Sequence, residues 1–185
     1  MTEPWLVVID MQHVFADRES PWHVPRFGEL IEPIEELIAA HAPRVTFTRF
    51  IAPEQPVGAW TAYYEQFAFA LQPPDAELYR LAPEIARHAQ AGTLDAPTLS
   101  KWGPELARTL GPNAEMVLAG VSTDSCVIGT ALGAADAGVK VRVVADACAS
   151  VDDTVHEQSL AVMRLWSPLI EVTTTRASSS PRASG

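Results

Sequence analysis

The chain has 185 residues, 48% of them hydrophobic, and a formal net charge of -10 at pH 7. That length suits one domain with one core, and that charge argues against nucleic acid and anionic membrane surfaces as partners, because the summed field repels phosphate. No run reaches the ~18 apolar residues of a membrane span, Met1 to Trp5 lacks the basic start of a signal peptide, and Cys126 and Cys148 are too few for a disulfide framework; a cytoplasmic protein with reduced thiols is expected.

Trp5 to Ile9 is a short β-branched apolar run closed by Asp10, the pattern of a strand buried on both faces. From Phe27 to Ala40, apolar Leu30, Ile31, Ile34, Leu37 and Ile38 oppose Glu29, Glu32, Glu35 and Glu36, which predicts an amphipathic crossover helix. Arg44 to Phe50 reads as the second strand. The stretch behind it holds Pro53, Pro56, Pro73 and Pro74 around an aromatic, partly helical Trp60 to Phe67, and long excursions of this kind shape pockets. Thr98 to Ser100 gives a weak strand signal before Lys101, and Met116 to Ala119 a firmer one. A helix follows Cys126, over Val127 to Ala137, and Val139 to Ala145 makes the next strand. A helix from about Asp153 to Trp166, capped by Asp152 or Asp153, and a strand near Leu169 to Thr173 complete the series. Alternating strand and helix predicts an α/β domain with a parallel, doubly wound sheet over 1–176. Residues 177–185 have nothing apolar to bury and are expected to form a flexible tail.

In an open α/β sheet the ligand lies beyond the carboxyl ends of the strands, at the point where strand order reverses. Asp10, Lys101 and Cys126 all fall at such ends, and they converge if the first strand is central. Cys126 stands where a strand turns into a helix. Unpaired N–H groups and the positive end of the helix dipole can lower a thiol there from ~8.5 toward ~3.5–7.5, so a thiolate nucleophile is expected. Singly, each residue has an ordinary reading: Asp10 as a turn cap, Lys101 as a solvated side chain, Cys126 as a small core hydrophobe. Jointly they favour chemistry. Cys148 reads as packing, Asp146 as a bracing residue, and His156 as a helix residue facing solvent or a partner.

The stretches Leu6 to Gln12, Ser100-Lys101, Gly120-Val-Ser-Thr-Asp-Ser-Cys-Val-Ile-Gly-Thr-Ala131, Ala134, Gly138 and Val143 to Ala149, in that order, resemble the isochorismatase-like cysteine hydrolases, which include nicotinamidases, N-carbamoylsarcosine amidases and isochorismatases. The resemblance implies a three-layer, Rossmann-like, six-stranded parallel sheet with helices on both faces, carrying an Asp10, Lys101, Cys126 triad. It also implies a cis Val121–Ser122 peptide, an oxyanion hole from the backbone N–H groups of Ser122 and Cys126, a small-molecule substrate, and a homodimer or homotetramer. In that scheme Cys126 attacks an amide carbon, Asp10 relays the thiol proton to the leaving nitrogen, and Lys101 holds the carboxylate.

Nicotinamidases of this group carry an Asp-x-His type cluster after the second strand, whereas Thr48 to Val57 contains no histidine here. His13, His23, His41, His88 and His156 are scattered without ligand spacing, so no metal and no other cofactor is expected, and nicotinamide is disfavoured as substrate. His13, Phe15, Arg49, Trp60, Tyr64 and Trp102 are expected around the pocket, with Trp22, Tyr63 and Phe67; each aromatic reads equally well as core. Arg49 suits a substrate carboxylate, or equally a brace for Asp10 or a loop acid. The expected activity is metal-independent cleavage of a C–N bond in a small amide, carbamoyl or ureido compound through an acyl-enzyme on the thiolate. Vinyl-ether hydrolysis on the same scaffold, and a non-catalytic binding or assembly subunit, stay open. A phosphatase Cys-x5-Arg fails at Leu132, a Gly-x-Ser-x-Gly elbow fails at Asp124, and no dinucleotide glycines follow the first strand.

Overall fold

The structure is a computed structural model that describes residues 3–178. In its first strand, β1 (Trp5–Ile9), successive side chains point to opposite faces. Leu6 and Val8 therefore pack into one core, and Val7 and Ile9 into another. A strand buried on both faces belongs inside a sheet covered on both sides. Accordingly, β1 lies between β2 (Val45–Phe50) and β4 (Glu115–Val121), parallel to both. Beyond β2 lies β3 (Leu94–Ala96), and beyond β4 lie β5 (Lys140–Ala149) and β6 (Ile170–Thr173), giving a six-stranded parallel sheet of order 3-2-1-4-5-6. The chain reverses its direction of travel across the sheet between β1 and β4, so their carboxyl ends flank the crevice.

Helices cover both faces. After the single turn α1 (His13–Ala16) and a 3-10 turn over Phe27–Leu30, α2 (Ile31–His41) lays Ile34, Leu37 and Ile38 on the Leu6 and Val8 side. Pro33 is tolerated because it falls in the first turn, where the missing N–H has no intrahelical partner to lose. The β2–β3 excursion carries α3 (Ala59–Gln66) and α4 (Pro83–Ala86), and it builds a third core around Phe50, Tyr64, Ala70 and Tyr79. On the opposite face α5 (Pro104–Leu110), α6 (Ile128–Asp136) and α7 (Asp153–Arg164) contribute Leu106, Ala131, Ala134, Leu160 and Met163. The Asp152 side chain caps α7, accepting from Val155 N–H at 2.8 Å. A short α8 (Thr175–Ser178) follows β6. No helix among the described residues is long and apolar enough to cross a membrane.

The departures from the sequence reading have physical causes. The third strand is Leu94–Ala96 rather than 98–100, because Pro97 cannot donate to a ladder and ends it. The α5 helix is absent from the sequence reading, although Pro104 at its first position, Glu105 in its first turn and Gly111 at φ 78° after its end are its signals. Strand β5 runs four residues further than expected. Leu118 pairs with Val143 but Gly120 with Cys148, so a bulge takes up the extra residues and re-aims the strand end. Of the tail expected from 177 onward, the backbone of 177 and 178 closes α8, and 179–185 lie outside the described residues.

Candidate active site

Asp10 follows the last residue of β1 with φ 48°, a left-handed conformation that aspartate tolerates better than most residues. Its N–H lies 3.2 Å from Thr48 Oγ1, and that hydroxyl donates back to Asp10 Oδ1 at 2.6 Å. The hydroxyl from β2 thereby fixes one carboxylate oxygen. The other, Oδ2, lies 3.0 Å from Lys101 Nζ, with both side chains fully buried. No well-directed hydrogen bond reaches Oδ2 among the described residues, which leaves that oxygen able to receive a proton. Two charges buried without water need each other, since a lone one is strongly penalised. Lys101 Nζ also donates to Thr98 O at 2.8 Å and sits 5.0 Å from the centre of the Phe50 ring. The segment expected to be a strand is thus the loop that seats the ammonium.

Cys126 is tied to that loop. Lys101 N–H donates to Thr130 Oγ1 at 2.8 Å, and Thr130 Oγ1 donates to Cys126 O at 2.6 Å. Cys126 belongs to a π turn over Thr123–Val127 that precedes α6, and it is 2% exposed. The expected thiolate is corrected here. Burial above all, with the nearby Asp10 carboxylate second, pushes the Cys126 thiol well above its ordinary range, and Lys101 only partly offsets them. That direction favours a neutral Cys126 thiol beside the carboxylate.

Close approach of β1 and β4 makes this convergence possible. Ile9 pairs with Gly120, which has φ 118°, and a Cβ there would collide with the Ile9 carbonyl oxygen and lie 2.8 Å from Ile9 N. Beyond Gly120 the Val121–Ser122 peptide is cis. Ser125 N–H and Val127 N–H donate to Ser122 O at 3.2 and 3.1 Å, fixing the turn. The hydroxyls of Ser122 and Ser150 both donate to Asp124 Oδ1, joining the turn to the bulged end of β5. Beneath it, His156 Nδ1 lies 2.9 Å from Thr123 Oγ1. His156 is therefore buried under the turn rather than facing solvent or a partner as its sequence context suggested.

A cavity of about 320 Å³ opens over Cys126, with Phe15, Trp22, Phe50, Tyr63 and Phe67 as aromatic walls and Ser122, Asp124 and Ser125 at the polar end. Burial, and the nearness of Cys126, push the Tyr63 hydroxyl up to about 12, so it remains a neutral donor. Of the residues expected around the pocket, Phe15, Trp22, Tyr63 and Phe67 line it. Arg49 is held bidentately by Asp95, its pairing neighbour on β3, at 2.9 and 2.5 Å, so it braces a strand acid rather than Asp10 or a loop acid. His13 contacts Glu77 at 3.1 Å in a separate, open hollow of about 840 Å³. Trp60 and Tyr64 pack behind Tyr63, with ring centres 5.1 and 5.3 Å from it. Trp102 packs with the α5–α6 core and touches the Gly133 position of α6. Among the described residues no group of three His, Cys, Asp or Glu side chains is placed to hold a metal ion.

Several contributors escaped the sequence reading. Thr48, Thr98 and Thr130 are ordinary threonines until pairing brings them to the ion pair. Gln12 is a clasp, donating to Phe50 O and Tyr79 O at 3.0 and 2.9 Å and accepting from Phe50 N at 2.8 Å. Cys148 and Asp146 behave as read: the first is buried in β5, and the second accepts from Thr175 N–H and Oγ1 at 2.8 and 2.7 Å.

A family model described as the isochorismatase domain matches residues 4–177. Among solved structures, the fold is similar to a cysteine hydrolase from Pseudomonas syringae pv. phaseolicola 1448A, with TM-score 0.82 and 20% identity over 95% of this chain and 90% of that one. It is also similar to an isochorismatase-like hydrolase from Alkaliphilus metalliredigens, with TM-score 0.76 and 19% identity over 96% and 97% of the two chains. A nicotinamidase from Bacillus subtilis superposes with TM-score 0.71 and 20% identity over 93% and 99%. No curated protein sequence matches the chain significantly.

Proposed function

The chain belongs to the isochorismatase family, and from that premise we propose that it is a metal-independent cysteine hydrolase that cleaves a C–N bond in a small amide, carbamoyl or ureido substrate. The observation that carries this reading is the fully buried Asp10–Lys101 pair beside a buried cysteine on the floor of an aromatic cavity. An ion pair without solvent is a costly structural device, so its position beside the cysteine that lines the cavity favours a chemical role.

As the substrate carbonyl reaches Cys126, the thiol proton passes to Asp10 Oδ2 and sulfur bonds to the carbonyl carbon. The electron pair of the C=O bond moves to oxygen, where the backbone N–H groups of Ser122 and Cys126 are the proposed donors. Collapse of that intermediate breaks the C–N bond, and the proton held by Asp10 goes to the leaving nitrogen. The resulting thioester is hydrolysed by a water whose proton Asp10 takes and returns to sulfur. Lys101 keeps the carboxylate oriented and offsets its charge each time the proton leaves. Because the resting thiol is neutral, proton transfer accompanies attack rather than preceding it.

The test is ammonia or amine release across amides, ureides and N-carbamoyl compounds, comparing wild type with Cys126→Ala, with intact-mass detection of an acyl adduct on Cys126. Cleavage at equal rates by both proteins overturns the nucleophile assignment. Activity on a vinyl ether that survives Cys126→Ala favours that alternative, and substrate binding without turnover favours a binding subunit.

A further inference from the structure

The cavity over Cys126 has an uneven balance of charge. Asp10 and Lys101 cancel each other 3.0 Å apart, and the buried thiol is neutral. One charged group then remains on the cavity wall, the exposed carboxylate of Asp124. Its Oδ1 takes both serine hydroxyls, from Ser122 and Ser150, while Oδ2 accepts from no described residue. The carboxylate is thus fixed in orientation with one oxygen turned free. Two arginines suited to an anionic substrate are engaged elsewhere: Arg49 with Asp95, and Arg26 with Glu29 and Asp153 at 2.9 and 3.2 Å. Trp22, Tyr63 and Phe67 line the same cavity as Asp124, the Tyr63 and Phe67 ring centres lying 6.1 and 5.7 Å from that of Trp22 and 4.8 Å from each other. Aromatic faces attract cations and offer nothing to a carboxylate.

We propose that Asp124 is the specificity-determining residue of this site, and that the substrate is an amide with an apolar, aromatic-sized body bearing an ammonium group that Asp124 and the aromatic walls receive. Substrates with a carboxylate, isochorismate-like diacids and N-carbamoyl amino acids among them, are rejected by the same charge. The inference rests on the hydrolase reading for the position of the scissile bond, but recognition is measurable without turnover.

The experiment uses three matched aryl amides that differ in one para substituent: hydrogen, aminomethyl or carboxylate. Wild-type kcat/KM is expected to favour the aminomethyl compound over the neutral one by about tenfold, the combined size of a partly exposed ion pair and a cation–π contact, and to place the carboxylate last. In Asp124→Asn the side-chain oxygen can still accept both serine hydroxyls but the charge is gone, and the aminomethyl-to-neutral ratio should fall to about 1–2. A merely structural Asp124 would lower all three substrates together and leave the ratio unmoved, which overturns the inference, as does a wild-type preference for the carboxylate. If none is hydrolysed, calorimetric binding of the same three compounds to Cys126→Ala, with and without Asp124→Asn, decides. The same charge order, lost with Asp124, upholds the inference while the hydrolase reading fails; no binding or a flat order overturns it.

Discussion

The two cysteines occupy similar ground and differ in what surrounds them. Cys126 and Cys148 are 2% and 1% exposed, both lie in the core that contains β4 and β5, and burial raises both thiols. Cys148 looks onto the Leu118 carbonyl from within β5, with Sγ 3.9 Å from it. Cys126 looks onto a carboxylate, an ammonium and a cavity. Neither burial nor a raised thiol distinguishes the two cysteines; a nearby carboxylate and an adjoining cavity, both at Cys126, do. The sharpest way to break this comparison is to remove each sulfur in turn. Cys126→Ala should lower kcat/KM by about 10⁴-fold or more. Cys148→Ala should leave it within about threefold and cost about 1–2 kcal/mol of stability through a small void. Comparable losses of activity from the two variants would show that the cavity and the ion pair do not single out Cys126.

The second contrast concerns what holds each sulfur's surroundings together, since only the Cys126 side contains a buried ion pair, whereas the charge acting on Cys148 is the exposed Asp146. Replacing Lys101 by Met strands the Asp10 carboxylate in a fully buried position and should cost about 3–5 kcal/mol in denaturant unfolding. The double variant Asp10→Asn, Lys101→Met should recover most of that loss while remaining inactive. If the single and double variants are equally unstable, Lys101 contributes by packing against Phe50 instead of by neutralising Asp10.

A third test separates the two causes that raise the Cys126 thiol. The Asp10 anion disfavours a thiolate and Lys101 favours it, so Asp10→Asn removes the opposing charge and leaves the helpful one. Iodoacetamide labelling of Cys126 should therefore begin at lower pH in Asp10→Asn than in wild type. Labelling of Cys148, pushed up to about 12 chiefly by burial, should keep its profile. Efficient labelling of wild-type Cys126 at neutral pH would mean that the helix dipole outweighs burial after all.

The sheet was legible because its signals are local: β1, β2, β4 and the α2 and α7 stripes each carry their own period in the sequence, and parallel pairing follows from alternation. Asp10 and Cys126 were legible as residues that follow β1 and β4, Lys101 was found although its strand was misplaced and it lies in the loop beyond β3, and the cysteine's turn carried the resemblance to the family. The parts that were missed depend on pairing. Thr48 matters because β2 lies beside β1, and Ser150 matters because a bulge in β5 brings it to Ser122; no periodicity announces either. Arg49 was read as a possible substrate ligand because an arginine at a strand end is ambiguous until its neighbouring strand is known. Misplacing β3 by four residues hid Asp95, the partner that occupies it. The thiol's direction of shift was misjudged for a related reason: position at a helix start is visible in sequence, while 2% exposure and a carboxylate from another strand are not.

The smallest effect concerns the support beneath the Cys126 turn, which Cys148 lacks. His156 reaches Thr123 Oγ1 from α7, and burial lowers its pKa below the usual 6.5, opposed by Glu157 and Asp153 and reinforced by Arg26 and Arg164. A histidine lowered in the folded state binds its proton more readily when unfolded, so its contribution is complete above the unfolded value and is lost as pH falls through the folded one. Wild type should exceed His156→Gln by about 1 kcal/mol at pH 7.5, the size of one buried hydrogen bond. That margin should shrink as pH is lowered from 6.5 toward 5, in paired thermal melts that cancel the titration of every other group. A margin that holds constant or widens on acidification would mean that the folded protein keeps His156 charged, and the turn that carries Cys126 would then rest on a charged ring donating to Thr123 instead of a neutral one.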